Sequence, residues 1–155
     1  MIIGLISDTH GHLRSGVRRR FRGVGAIVHA GDVGGTGILR ELEEVAPVTA
    51  VWGNTDNFEL RSSLPEVARF EFGGKRFALL HGHQVPGLSA EELAAAFPEA
   101  DIIVHGHTHQ PREDRATGKL VLNPGAAGPP RHGLRPTIAT LTVDASGDSV
   151  RFIEL

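Results

Sequence analysis

Three histidines, His105, His107 and His109, fall within five residues in the stretch VHGHTHQP (Val104–Pro111), directly after the apolar run DIIV. The 155-residue chain has only nine histidines, so a third of them are gathered there. Neutral imidazole is the commonest side-chain metal ligand, and a cluster at the end of an apolar run of strand length points to a metal site rather than a polar loop. Further candidate ligands stand in four short segments: Asp8 and His10 in SDTHGH, Asp32 in HAGDVGG, Asn54 in WGNTDN and His81 in LHGH. The chain has no cysteine. Thiolate sites and disulfides are therefore excluded. Any ion must be held by His, Asp, Glu or Asn, a donor set that suits manganese, iron, nickel, cobalt or zinc.

The elements around these residues alternate between strand and helix. IIGLIS is an apolar run of strand length, and Leu13, Val17 and Phe21 then fall at i, i+4 and i+8 as a helical stripe. GAIVHA reads as a strand. Thr36 is placed to cap a helix that turns Ile38, Leu42 and Val45 inward and stops before Pro47. PVTAVWG is a third strand, and EVARFEF and KRFALLH flank Gly73-Gly74 as a hairpin. Ser89 and Glu92 form a capping box, with Leu88 and Leu93 as its hydrophobic staple. ADIIV, the end of RATGKLVLN, and a final TIATLTV/SVRFIEL hairpin complete the set. Alternating units followed by hairpins predict an α/β (α+β) fold with mixed sheet pairing, in one domain over 1–155. Every candidate ligand stands where a strand runs out, which is where open α/β sheets bind their ligands.

In order along the chain, Asp-x-His, Gly-Asp, Gly-Asn-x-Asp, His and Gly-His-x-His resemble the motif series of the calcineurin-like metallophosphoesterase superfamily. The small size and the closing NPGA (Asn123–Ala126) are similar to the YfcE-type phosphodiesterases, and the resemblance runs from Asp8 to about Gly133. It implies a four-layer sandwich of two mixed β-sheets flanked by helices and carrying two divalent ions, manganese foremost. It assigns Asp8, His10 and His109 to one ion, Asn54, His81 and His107 to the other, and Asp32 as a bridge between them. Asp32, Asn54 and His81 then stand nearest the reaction, and Asn54, His83 and Arg131 are the candidates for contact with substrate. The implied chemistry is hydrolysis of a P–O bond, diester rather than monoester, by in-line attack of a metal-bridging hydroxide while both ions neutralise the non-bridging oxygens. Glycines beside the ligands (Gly11, Gly31, Gly53, Gly82 and Gly106) would let backbone pass close to metal and substrate.

One position departs from the pattern. Many relatives carry a histidine, thought to protonate the leaving group, where this chain has Thr55, whose hydroxyl is no useful acid near neutral pH. His12 and His83 are the candidate replacements. Among the remaining polar residues, His105 reads as a packing or supporting group, His29 as a buried structural histidine and Asp56 as an organiser of the Asn54 loop. Trp52 and Phe58, flanking that loop, read as core. Arg14, Arg18, Arg19, Arg20 and Arg22 look like a nucleic-acid patch, but the apolar stripe leaves them on a solvated face.

A net charge of -2 and a pI near 6.5 give no electrostatic case for nucleic acid, except as substrate, or for an anionic membrane. MIIGLI is too short for a membrane span and lacks a basic leader. The expected setting is cytoplasmic, and the expected partner a small phosphodiester. The same fold also serves as a non-catalytic protein-binding subunit in the retromer coat. The complete set of ligand types favours the enzyme.

Overall fold

The computed structural model describes residues 1–155. Its elements in chain order are β1 (Ile2–Ile6), α1 (Ser15–Arg20), β2 (Ala26–His29), α2 (Thr36–Glu43), β3 (Val48–Ala50), α3 (Phe58–Ser63), β4 (Val67–Phe72), β5 (Lys75–Leu80), α4 (Ala90–Ala96), β6 (Ile102–Val104), β7 (Arg112–Asp114), β8 (Leu120–Asn123), β9 (Thr137–Asp144) and β10 (Gly147–Glu154). They form two five-stranded sheets, in the orders β10-β9-β1-β2-β3 and β4-β5-β6-β8-β7. Both are mixed. Strands β1, β2 and β3 run parallel with antiparallel β9 and β10 at one side, and β5, β6 and β8 run parallel between antiparallel β4 and β7.

Strand periodicity explains why two sheets and four layers result. Successive side chains of a strand point to opposite faces, and here both faces of the central strands are apolar. Ile3 and Leu5 of β1 meet Phe77 and Leu79 of β5, Ile102 and Val104 of β6, and Leu120 and Leu122 of β8 in a core between the sheets. Ile6 and Ile27 face the other way, onto Val17 and Phe21 around α1, Ile38 and Leu42 of α2, and Leu60 of α3. Ala78, Leu80, Ile103 and Val121 likewise back onto Ala90 and Leu93 of α4. Burial on both faces is the mark of parallel strands covered by crossover helices. No helix is long and apolar enough to cross a membrane.

Most local expectations hold. Gly73 and Gly74 turn the β4–β5 hairpin at φ 59° and 79°, the left-handed pair a two-residue loop requires. Ser89 caps α4 by accepting from Glu92 N–H at 3.0 Å, with Leu88 and Leu93 buried beside it. Arg18, Arg19, Arg20 and Arg22 are exposed, and Arg18 pairs with Glu44.

Three readings change. Thr36 is not a cap: Gly35 holds that position, and Thr36 Oγ1 instead accepts from Arg40 at 3.2 Å. Phe58 is not core but 86% exposed at the start of α3, because that helix buries Leu60 instead. Helix α3 and strand β7 are additional elements. The strand, Arg-Glu-Asp, carries no apolar alternation and exists by pairing with β8.

The expected consequence is a sharp contrast between two substitutions. Leu79→Ala, in the fully buried inter-sheet core, should destabilise by about 2–5 kcal/mol, whereas Phe58→Ala should change stability by less than about 0.5 kcal/mol. Urea denaturation of both variants checks this, and equal losses would contradict the packing described.

Candidate metal centre

The carboxyl ends of the central strands of both sheets meet at one place. The loop after β1 is laced to the loop after β2 by Asp8 N–H to Gly31 O and His10 N–H to Asp32 O, each 3.0 Å. The loops after β5 and β6 are joined by Gly106 N–H to His81 O at 2.9 Å. Between the sheets, His107 N–H donates to Asp8 Oδ2 at 3.2 Å, and Ser7 Oγ donates to the same oxygen at 2.7 Å. The backbone is bent unusually there. Asp8, His10, Asp32, His107 and His109 all have positive φ, between 47° and 72°. Such angles are uncommon outside glycine, cost free energy, and cluster at functional sites.

These bends bring side-chain atoms together. Asp8 Oδ1 lies 3.4 Å from His109 Nε2 and 3.9 Å from both His10 Nε2 and His81 Nε2. Asp32 Oδ2 lies 3.2 Å from His81 Nε2 and 3.8 Å from His10 Nε2. Two potential ligand groups result, Asp8–His10–His109 and Asp8–Asp32–His81, each with donor atoms within 4.8 Å of one another. Asp8 is the carboxylate common to both. His107 lies beside them, its ring centre 5.1 Å from that of His81. Asn54 is exposed on the rim. His83 sits between Trp52 and the ligand histidines, its ring centre 5.3 Å from Trp52 and 5.6 Å from His81. Arg131 is in the exposed loop before β9, and its charge is felt by His10.

The atoms facing the centre are tuned for a cation. Asp8 Oδ1 and His81 Nε2 are buried and have no hydrogen-bond partner, a costly arrangement unless something positive lies between them. His81 Nδ1 is engaged with Ala30 O at 2.8 Å, which turns Nε2 toward the carboxylates. Burial disfavours charge on His81, but Asp32 and Asp8 together raise its pKa above the ordinary imidazole value. Burial likewise disfavours charge on Asp32, yet the His81 imidazole beside it and the N–H of Thr55 hold it well below the usual carboxylate range. Burial pushes His10 and His107 down, toward the neutral form that ligates.

Glycine is required at two approaches. A Cβ on Gly106 would stand 2.0 Å from Ser7 Oγ, and one on Gly53 would stand 2.2 Å from Asp32 Oδ1. The residues around the centre act mostly on loop backbone. Asp56 accepts from the N–H groups of Val33, Gly34 and Gly53, as its expected organising role requires. Asn123, at the end of β8, reaches Gly106 O and Thr108 Oγ1, both at 3.0 Å. Arg112 joins His105 Nε2 to Leu88 O, so His105 faces away from the centre as a packing group. The structural roles of Asn123 and Arg112 have no sequence signature of their own, since these partners are backbone atoms or side chains brought close by the fold.

His29 is the structural histidine the sequence suggests. Gly31 N–H donates to its Nδ1 at 3.2 Å, its Nε2 meets Thr9 Oγ1 at 2.9 Å, and Thr9 donates onward to Val33 O. A proton on Nδ1 would oppose the Gly31 N–H, and complete burial pushes the pKa down to about 4. The unfolded chain, with an ordinary value near 6.5, therefore takes up the proton first as pH falls. The stabilisation is full above about pH 6.5 and is lost progressively toward pH 4, amounting to about 3 kcal/mol. Urea denaturation in EDTA should show this fall, and His29→Gln should flatten it. An unchanged pH slope in the variant would refute this role.

Residues 1–146 match the calcineurin-like phosphoesterase superfamily domain. The chain is 37% identical to a probable metallophosphoesterase of Methanothermobacter thermautotrophicus over 93% of this chain and 87% of that protein. It superimposes on an archaeal phosphodiesterase with a TM-score of 0.82 at 28% identity, covering both chains completely. Vps29 of Entamoeba histolytica, complexed with zinc, shares the fold at a TM-score of 0.81 and 23% identity, over 99% of each chain. By sequence and by fold, the chain belongs to the calcineurin-like phosphoesterase superfamily.

Proposed function

We propose that the protein is a divalent-metal-dependent phosphodiesterase with a two-ion centre. The observation that carries the proposal is the pair of buried, unpartnered atoms, Asp8 Oδ1 and His81 Nε2, at the middle of a carboxylate–imidazole cluster. Those donors fit a mid-row divalent cation, manganese foremost and iron, nickel, cobalt or zinc also accommodated. Asp8, His10 and His109 would hold one ion. Asn54, His81 and His107 would hold the other, with Asp32, near both His10 and His81, contributing to each. Bound there, divalent cations supply charge for phosphate oxygens and make water acidic enough to be a nucleophile near neutral pH.

The chain's own residues do the rest. Ser7 and His107 N–H fix Asp8 by its outer oxygen, leaving the inner one free. Asn54 and Arg131, both exposed, would meet a phosphate arriving from solvent, with the guanidinium suited to two non-bridging oxygens at once. A cysteine-free chain suits a reducing, cytoplasmic setting. The likeness to Vps29 concerns fold alone. A protein-binding role would not require every ligand type to be kept, so the complete set favours catalysis.

Two measurements test this reading. Hydrolysis of bis-p-nitrophenyl phosphate should exceed that of p-nitrophenyl phosphate, vanish with EDTA and return with Mn²⁺. His109→Ala should lower it by more than the ~10–100-fold typical of groups one layer out from a metal. Metal-independent rates, or an unaffected variant, would reject the phosphodiesterase and favour a binding role.

The second measurement concerns Thr55. A positioned general acid is worth about 10²–10⁴-fold, and its absence falls hardest on poor leaving groups. Across a series of aryl and alkyl diesters, kcat/KM should drop steeply as leaving-group pKa rises. A flat series would show that another residue donates the proton, and His12→Ala and His83→Ala would then identify it.

A further inference from the structure

Arg61, on α3, lies outside every motif singled out in the sequence. Its guanidinium is nonetheless tied to the metal centre by one peptide group. Nη2 donates to Asn54 O at 2.7 Å. The N–H of that same peptide, belonging to Thr55, donates to Asp32 Oδ1 at 2.9 Å. Nε donates to Asp56 O at 2.9 Å, and the guanidinium carbon lies 4.7 Å from the centre of the Trp52 ring. The fork therefore has two carbonyl acceptors and an aromatic face to hold its plane.

We infer that Arg61 is a positioning residue for Asp32, acting through the Asn54–Thr55 peptide. A peptide group is planar and rigid, so fixing its oxygen fixes the direction of its N–H. A cation at the carbonyl also polarises the group and strengthens the N–H as a donor. The N–H takes Oδ1 of Asp32, and this orients Oδ2 toward His81 and His10. Gly53 leaves the room, since any Cβ there would stand only 2.2 Å from Oδ1. The guanidinium is thus a support for a ligand it does not touch. Lysine cannot replace it, because an ammonium lacks the planar fork that satisfies both carbonyls and lies on Trp52.

This inference rests on the metal-centre reading above, and the experiment keeps the two separate. Arg61→Met and Arg61→Lys are compared with wild type in two assays: Mn²⁺ binding by calorimetry, and exchange of the Thr55 amide proton in EDTA. Both variants should bind Mn²⁺ more weakly, Arg61→Met by the ~10–100-fold typical of groups supporting a metal ligand. Both should also exchange the Thr55 amide faster, while amides of β1 and β5 keep their protection. Arg61→Lys decides the matter if Arg61→Met fails to fold. Unchanged Mn²⁺ affinity with unchanged Thr55 exchange would overturn the inference. A wild type that binds Mn²⁺ without hydrolysing diesters would reject the phosphodiesterase yet leave this inference standing. If wild type binds no Mn²⁺, the metal-centre reading fails and the Thr55 exchange alone decides.

Discussion

The fold converges on one buried carboxylate. Asp8 is fully inaccessible, yet only its outer oxygen is hydrogen-bonded, by Ser7 and by the backbone of His107. The inner oxygen faces three imidazoles and has no hydrogen-bond partner. Burying a carboxylate costs several kcal/mol unless it is compensated, and none of the three imidazoles hydrogen-bonds this oxygen. A cation answers the demand directly. The same residue joins the sheets, since Asp8 follows a strand of one and His107, which donates to it, follows a strand of the other. Sheet packing and metal affinity are therefore not separable properties. A shift of one sheet against the other would move the carboxylate relative to His81 and His109.

The distorted backbone follows from the same demand. Five short side chains, from the loops after β1, β2 and β6, have to point at one small volume, whereas a chain that stayed extended would carry Asp8 and His10, or His107 and His109, side by side about 7 Å apart and on past the site. Left-handed φ values at Asp8, His10, Asp32, His107 and His109 turn the backbone back instead. Aspartate and histidine tolerate this region better than β-branched residues do, so the types that ligate are also types that can adopt the bend. Glycines at 53 and 106 let the loops come within contact of Asp32 and Ser7. The apolar side chains packed between the sheets keep this strained rim in place.

How much of this was legible in the sequence depends on where the information resides. Asp8, His10, Asp32, His81 and His109 could be read because ligation demands particular side chains and because each follows an apolar strand. The alternation of strands and helices could be read from apolar runs and helical stripes, whereas the four layers came only from the family resemblance. Helix α3 could not, since it is six residues long and buries only Leu60, too little to make a periodic stripe. Strand β7 has no apolar face at all and is specified by its partner β8. Phe58 was misread because hydrophobicity alone does not say which way a helix turns. Arg61 was invisible for a deeper reason: its hydrogen-bond partners are carbonyl oxygens, which every residue has.

Exposure grades outward from Asp8 in a way that divides labour. Asp8 and His81 are fully buried, Asp32 and His109 nearly so, and Asn54, Thr55, His107 and Arg131 open to solvent. The inner residues are locked by the packing of two sheets, so almost any change there disturbs both fold and metal. The rim residues sit on loops and are free of that constraint. Thr55 illustrates the difference. Its backbone N–H is committed to Asp32, but its side chain is exposed, so the residue type can vary while the hydrogen bond persists. The inner candidate ligands are therefore constrained by the fold's interior, whereas the rim positions can change type without disturbing it.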